Sequence, residues 1–220
     1  MTSSLPQRLA RWLSGPHRGT DPAPAKPNAE DYLRAQQRDG TYPFIHINKC
    51  GGTSVEQALG LPKIHDTAMM RRDRLGAEVW NRLATFSIVR HPYAKVASHY
   101  RYRVKKNKTG LGDGRLDLNA WVLETYRDRN PAYYNNPLMF APCLTWLTDE
   151  AGDIMVDHVA RLETIDTDWP EIQRLIGVEA ALPQVNKTPS ARGEPLSPEA
   201  REAIRRAFAL DFEAFGYDPD

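Results

Sequence analysis

Apolar positions in this chain follow two periods, short β-branched runs and longer stretches repeating every three to four residues. Phe44, Ile45 and Ile47, entered through Pro43, make a buried strand, and Thr85-Phe-Ser-Ile-Val89 makes a second. After the first strand, Gly51-Gly52 breaks the run, Thr53-Ser54 stands where an N-cap is wanted, and Val55–Leu59 forms a short helix closed by Gly60. Lys63–Thr67 reads as extended. Met69–Leu83 reads as one helix, with Leu75, Val79 and Leu83 on a single face. Pro92 opens the next helix, in which Tyr93, Val96, Ala97, Tyr100 and Val104 face a core while Lys95, Ser98 and Tyr102 share another face.

Farther on, Lys105–Arg115 is basic and glycine-rich, the composition of a mobile loop. A helix is predicted from Asp117 to about Arg127, one or two strands within Asp153–Glu163, and a helix from Trp169 to Ile176 ending at Gly177. Asn130–Pro142 shows no period. Leu182–Pro195 is a loop, and Ser197-Pro198 starts a last helix with Ile204, Phe208 and Phe212 inward.

Strands alternating with helices predict an α/β fold, a P-loop-like parallel sheet flanked by helices, in a single domain. That domain is expected over residues 41–220 of the 220, behind an N-terminal arm of residues 1–40. The arm holds a short amphipathic piece (Leu5, Leu9, Trp12, Leu13 with Arg8 and Arg11) and a proline-rich linker over residues 15–28. The amphipathic piece reads as a loosely packed terminal helix, with a membrane surface or a partner as the other contacts open to it.

Ligands of parallel sheets bind beyond the carboxyl ends of the strands, and Lys49 and Arg90 both stand there. Strand, glycine turn and helix N-terminus make an anion site, because the first amides of a helix lack internal partners and glycine lets an anion approach. Lys49 precedes Gly51 and Gly52, whereas a Walker A loop places its lysine after the last glycine. Arg90 and, two turns into its helix, Ser98 offer a guanidinium fork and a hydroxyl to a second anionic group.

The stretch Lys49-Cys-Gly-Gly-Thr-Ser54 resembles the 5′-phosphosulfate loop of sulfotransferases that use 3′-phosphoadenosine-5′-phosphosulfate (PAPS). Arg90-His-Pro-Tyr-Ala-Lys-Val-Ala-Ser98 resembles their 3′-phosphate motif, with His91 in place of Asn or Asp and Lys95 in place of Arg. The order and gap are similar to the carbohydrate branch that includes the heparan 2-O and chondroitin 4-O enzymes. Arg161-Leu-Glu-Thr-Ile165, Leu182-Pro-Gln-Val-Asn186 and Asp211–Tyr217 resemble later motifs of that branch. The resemblance covers residues 42–217 and implies sulfuryl transfer from PAPS to a hydroxyl of a sugar or glycoconjugate, without a metal. It implies cofactor binding by Lys49, Gly51, Gly52, Thr53, Ser54, Arg90 and Ser98, with Lys49 offsetting charge on the leaving group.

A hydroxyl acceptor needs a general base, and histidine suits that role near neutral pH. His65 lies between the two cofactor motifs and resembles the histidine that related enzymes carry there; His99, His91 and Glu163 compete, and His46, inside the first strand, reads as structural. A formal charge of +1 gives no bulk case for nucleic acid. Two cysteines make neither a disulfide framework nor a zinc set, no run is long enough for a membrane span, and a cytoplasmic location is expected. The competing readings are a P-loop-like ATP-dependent kinase, which the lysine-before-glycine order disfavours, and a non-catalytic nucleotide-binding protein.

Overall fold

The computed structural model describes residues 43–183 and 195–220. The arm expected over residues 1–40 and the late loop containing Asn186 lie outside the described residues. One parallel sheet of three strands, in the order β1-β2-β3, organises the chain. Strand β1 is Phe44–Ile45, β2 is Phe86–Val89 and β3 is His158–Arg161. Phe44 pairs with Phe86 in register, and Val89 with Arg161. The α/β class with a helix-flanked parallel sheet is therefore as expected.

Strand β1 is shorter than its apolar run. Ile47 stays buried, but its carbonyl closes a turn on the Cys50 amide at 3.4 Å, and Lys49 takes a left-handed φ of 66°. That turn carries the chain off the ladder. Helix α1, Gly52–Leu59, then begins one residue before Thr53, with Gly51 as N-cap at φ 84° and no side-chain cap. Thr53 and Ser54 thus lie within the first turn, not at the cap. Glycine at the cap position supplies the left-handed backbone that Thr or Ser would adopt only under strain.

The helix expected over Met69–Leu83 is two helices, α2 (Ala68–Leu75) and α3 (Ala77–Trp80), broken at Gly76 with φ 83°. Its buried residues are Ala68, Arg71 and Trp80, whereas Val79 is 37% exposed. Asp66 decides the orientation: buried itself, it receives a forked pair from Arg74, one arm at 3.0 Å, with Arg71 Nε at 3.6 Å. Satisfying that buried carboxylate turns the arginine face inward at the expense of the leucine face. Helix α8, Ile165–Ile176, starts a turn earlier than predicted. Asp168 accepts from the Arg161 amide and the Thr164 hydroxyl, both at 2.9 Å, which organises that extra turn.

The chain separates into two compact units, both within the single domain. The sheet unit comprises the described parts of Pro22–Arg90 and Cys143–Lys187. Its core joins Phe44, Phe86, Ile88 and Ala160 of the sheet to Val55 of α1 and to Trp169 and Ile172 of α8. Helix α7, Cys143–Leu147, is buried at every position in this unit's interior.

The helical unit contains His91–Pro142 and the described part of Thr188–Asp220. It holds α4 (Pro92–Lys105), α5 (Leu118–Val122, running on in wider turns to Arg127), α6 (Pro137–Phe140), α9 (Pro198–Ala207) and α10 (Ala209–Phe215). The last helix of the sequence reading is thus two, divided at Phe208, with Ile204, Phe208 and Phe212 buried as expected. In α4 the buried stripe is Lys95, Val96, His99 and Arg103, not the tyrosine face. Lys95 Nζ donates to the Ala141 carbonyl at 2.7 Å, so its ammonium is held while its stem packs inside. The basic stretch after α4 is not structureless: Lys108–Asp113 forms 3-10 turns, Leu111 is buried, and Asn107 Oδ1 accepts from the Gly112 amide.

At the start of β2, Asp157 Oδ2 accepts from the Thr85 amide and hydroxyl, both at 2.8 Å, and the Asp157 amide returns a bond to Thr85 Oγ1 at 2.9 Å. This box sets the register of β2 against β3. Asp157→Ala is expected to cost about 2–3 kcal/mol in urea unfolding, since two bonds to a charged acceptor are lost. A change under about 0.5 kcal/mol would show that register is set elsewhere.

Candidate anion-binding and catalytic site

Parallel pairing of β1 with β2 brings the two strand-end cations of the sequence reading into one unit. Arg90 Nη1 donates to the Lys49 carbonyl at 3.3 Å, so the guanidinium buttresses the turn that presents Lys49. Lys49 and Gly51 are left-handed at φ 66° and 84°, with buried Cys50 between them. Cys50 Sγ lies 3.7 Å from Cys143 Sγ of α7, both thiols reduced, which anchors the middle of the loop inward. A non-glycine residue held at positive φ costs of order 1 kcal/mol and persists only where its surroundings impose it.

Helix α1 then points its N-terminus out of this turn. The Ser54 amide bonds the Gly51 carbonyl at 3.0 Å, and no protein acceptor engages the Gly52 and Thr53 amides among the described residues. Two donors at an uncapped N-terminus of an eight-residue helix, beside a lysine, fit a phosphate group.

Packing explains both glycines. A Cβ on Gly52 would lie 2.3 Å from His46 Cδ2, and one on Gly51 would lie 2.6 Å from Leu162 Cδ1. The His46 ring is pressed beneath the loop and held there by Glu56 of α1, whose Oε1 contacts Nδ1 in a short bond between two buried side chains. His46 is therefore structural, as its strand position suggests. Sequence reasoning overlooked Glu56. The available signal was a carboxylate directly after Val55 on the inward side of a short helix.

His65 joins the same assembly. Its Nδ1 lies 3.0 Å from the His46 carbonyl, and the two rings are 4.3 Å apart, with Trp146 edge-on at 6.3 Å. A carbonyl only accepts, so Nδ1 carries the proton and the neutral ring keeps its lone pair on Nε2. Burial, and next the neighbouring His46, push the His65 pKa below the usual 6.5. Asp66 does not orient His65; it is taken by Arg74 and Arg71.

The competing bases sit elsewhere. His99 is buried in the helical unit between Phe140 at 4.8 Å and Trp121 at 5.8 Å. His91 packs against Tyr93, Phe212 and Tyr217 of that unit. Glu163 is exposed in the 3-10 turn after β3. Ser98 lies half-buried in α4, in the helical unit; Lys49, Gly51, Gly52, Thr53, Ser54, His65 and Arg90 all belong to the sheet unit. Among the described residues no group of acidic, histidine or cysteine side chains could hold a metal ion.

Comparison with known proteins adds a family. The model of the sulfotransferase family matches residues 43–218, nearly the whole described chain and both units. The chain is also similar to a solved sulfotransferase from Alicyclobacillus acidocaldarius, at 14% identity and a TM-score of 0.41, over 86% of this chain and 92% of that one. No curated protein matches the sequence.

Because His46 occupies the space beside Gly52, Gly52→Ala is expected to shift the loop and lower stability by about 1–3 kcal/mol, the usual cost of overpacking. Gly60→Ala has open space around its Cβ and differs only by its positive φ. Thermal melts of both variants check this: Gly52→Ala should melt below Gly60→Ala, and equal melting would show the close approach to be unimportant.

Proposed function

From the premise that the chain belongs to the sulfotransferase family, we propose that it transfers a sulfuryl group from PAPS to a hydroxyl of a sugar or glycoconjugate. The observation that carries this reading is the uncapped helix start beside Lys49, with His65 presenting a lone pair from the same unit. The donor supplies an activated phosphosulfate anhydride. The residues here would hold its 5′-phosphate through the Gly52 and Thr53 amides and the Thr53 and Ser54 hydroxyls, with Gly51 turning the chain toward it. Arg90 and Ser98 are assigned to the 3′-phosphate on the motif alone.

Lys49 would stand by the bridging oxygen and offset the charge that grows on the leaving group. In-line transfer of this kind asks the protein chiefly for positioning and charge stabilisation. His65 Nε2 would take the proton of the acceptor hydroxyl. Its Nδ1–H, fixed to the His46 carbonyl, sets both the tautomer and the ring direction. A depressed pKa keeps the ring neutral, and so able to accept that proton, across the neutral range. We assign the protein to the cytoplasm under this reading, and a kinase reading would need a different lysine order.

Three measurements test the reading. Adenosine 3′,5′-bisphosphate should raise the melting temperature at concentrations where AMP does not, with about 2.7 kcal/mol at 100 times its Kd; equal effects would remove the 3′-phosphate from the reading. Lys49→Ala should lower turnover far more than bisphosphate affinity, because its partner charge develops only in the transition state. His65→Ala should keep bisphosphate binding and lose about 10²–10⁴-fold in sulfation rate. The wild-type pH profile should rise with pH through a midpoint below about 6.5, the limb on which the base loses its proton. An intact profile in the variant would move the role to Glu163 or His99.

A further inference from the structure

Arg103 is a buried cation. It is 6% exposed, near the end of α4 in the helical unit. Among the described residues no carboxylate forms an ion pair with it. Its hydrogen bonds run from Nη2 to Thr109 Oγ1 at 3.2 Å and to Asn135 Oδ1 at 3.3 Å, both long and both to neutral oxygens. Its Nε has no hydrogen-bond partner. The guanidinium lies over the Phe140 ring at 5.2 Å, a contact that orients the group without neutralising it.

Taking a guanidinium out of water costs several kcal/mol unless an anion and good hydrogen bonds replace the solvent. Neutral amide and hydroxyl oxygens at such distances replace little of it. Two further features collect around this group. Thr109 is itself held at a left-handed φ of 56°, following Asn107 at φ 44°, so the segment donating one oxygen is strained. The other oxygen comes from the stretch that also holds Tyr134, whose buried hydroxyl lacks a partner and whose ring packs on Phe140 at 5.0 Å. Backbone strain and unsatisfied buried donors gather where a ligand completes a structure. Burial pushes the guanidinium pKa down, the direction expected of a charge lacking a counter-ion.

We infer that Arg103 is the centre of an oxyanion-binding site in the helical unit, formed with Thr109 and Asn135, that takes a carboxylate or sulfate group. The planar fork matches either group. The two undecoded stretches of sequence, after α4 and before α6, then act together, since each brings one oxygen to the same guanidinium.

The test is a set of melting curves at constant ionic strength, comparing chloride, sulfate and a methyl glucuronide as probes. Adenosine 3′,5′-bisphosphate is present throughout to fill the phosphate loop. Wild type should be stabilised by the uronate, or by sulfate, relative to chloride. Arg103→Met should melt about 2 °C or more above wild type in chloride, because a buried unpaired charge is replaced by an apolar side chain of similar length. It should bind the probe at least about 30-fold more weakly. Asn135→Asp should likewise raise the melting temperature and remove the probe effect, since it supplies the missing carboxylate internally. A response to uronate identifies a carboxylate-bearing saccharide as the ligand, and a response to sulfate alone identifies a free inorganic anion. The inference is overturned if Arg103→Met melts below wild type in chloride, or if the probes affect wild type and both variants alike. Failure of the bisphosphate to bind would instead count against the function proposed above and leave the probe comparison readable.

Discussion

The contact on which the sheet unit depends is that of the His46 imidazole with Gly52, secured by Glu56. A ring bonded to a carboxylate of the first helix and pressed against that helix's first residue ties strand β1 to α1 on both sides of the loop. The loop between them is then free to adopt a conformation that local preference opposes, with Lys49 and Gly51 left-handed. Uncapped amides and a lysine face outward because the inward side is already filled by His46, Leu162 and the Cys50–Cys143 contact. The strain persists because burial of polar and apolar groups on the inner side over-determines it.

The same imidazole residue links that loop to the candidate base. His46 uses its side chain for Glu56 and its carbonyl for His65, so one residue sets the helix start and the tautomer of its neighbour. Such economy has a consequence for mutation. A change at His46 would alter the loop, the bond to Glu56 and the candidate base together, and its effect would not divide into separate contributions. In the helical unit the buried Arg103 is held instead by neutral oxygens of Thr109 and Asn135.

How far residues alone lead is clear from particular elements. The strands Phe44–Ile45 and Phe86–Val89, the glycine turn, the helix opened by Pro92, the helix start at Asp117 and the cap at Ser197 were legible, because each is set by neighbours within about four positions. Lys49 and Arg90 were legible as strand-end cations for the same reason. The inward face of α4 was not, since a lysine and an arginine at that face read as solvent-exposed until Ala141, Thr109 and Asn135 are placed around them. Nor was the break at Gly76, where the backbone turns to a positive φ, or the burial of Arg71 beside Asp66.

Local chemistry therefore established the elements, because short-range sterics and capping depend only on adjacent residues, and the order of a strand, a lysine and two glycines raised the expectation of an anion site at a helix start. The partners of each charge came from the fold. Glu56 meeting His46, Asp66 turning from His65 to Arg74, and Arg103 buried against Thr109 and Asn135 all join residues whose neighbours in space are not their neighbours along the chain. Burial then sets the cost of every charge it encloses, and burial is a property of the packed chain rather than of any stretch within it.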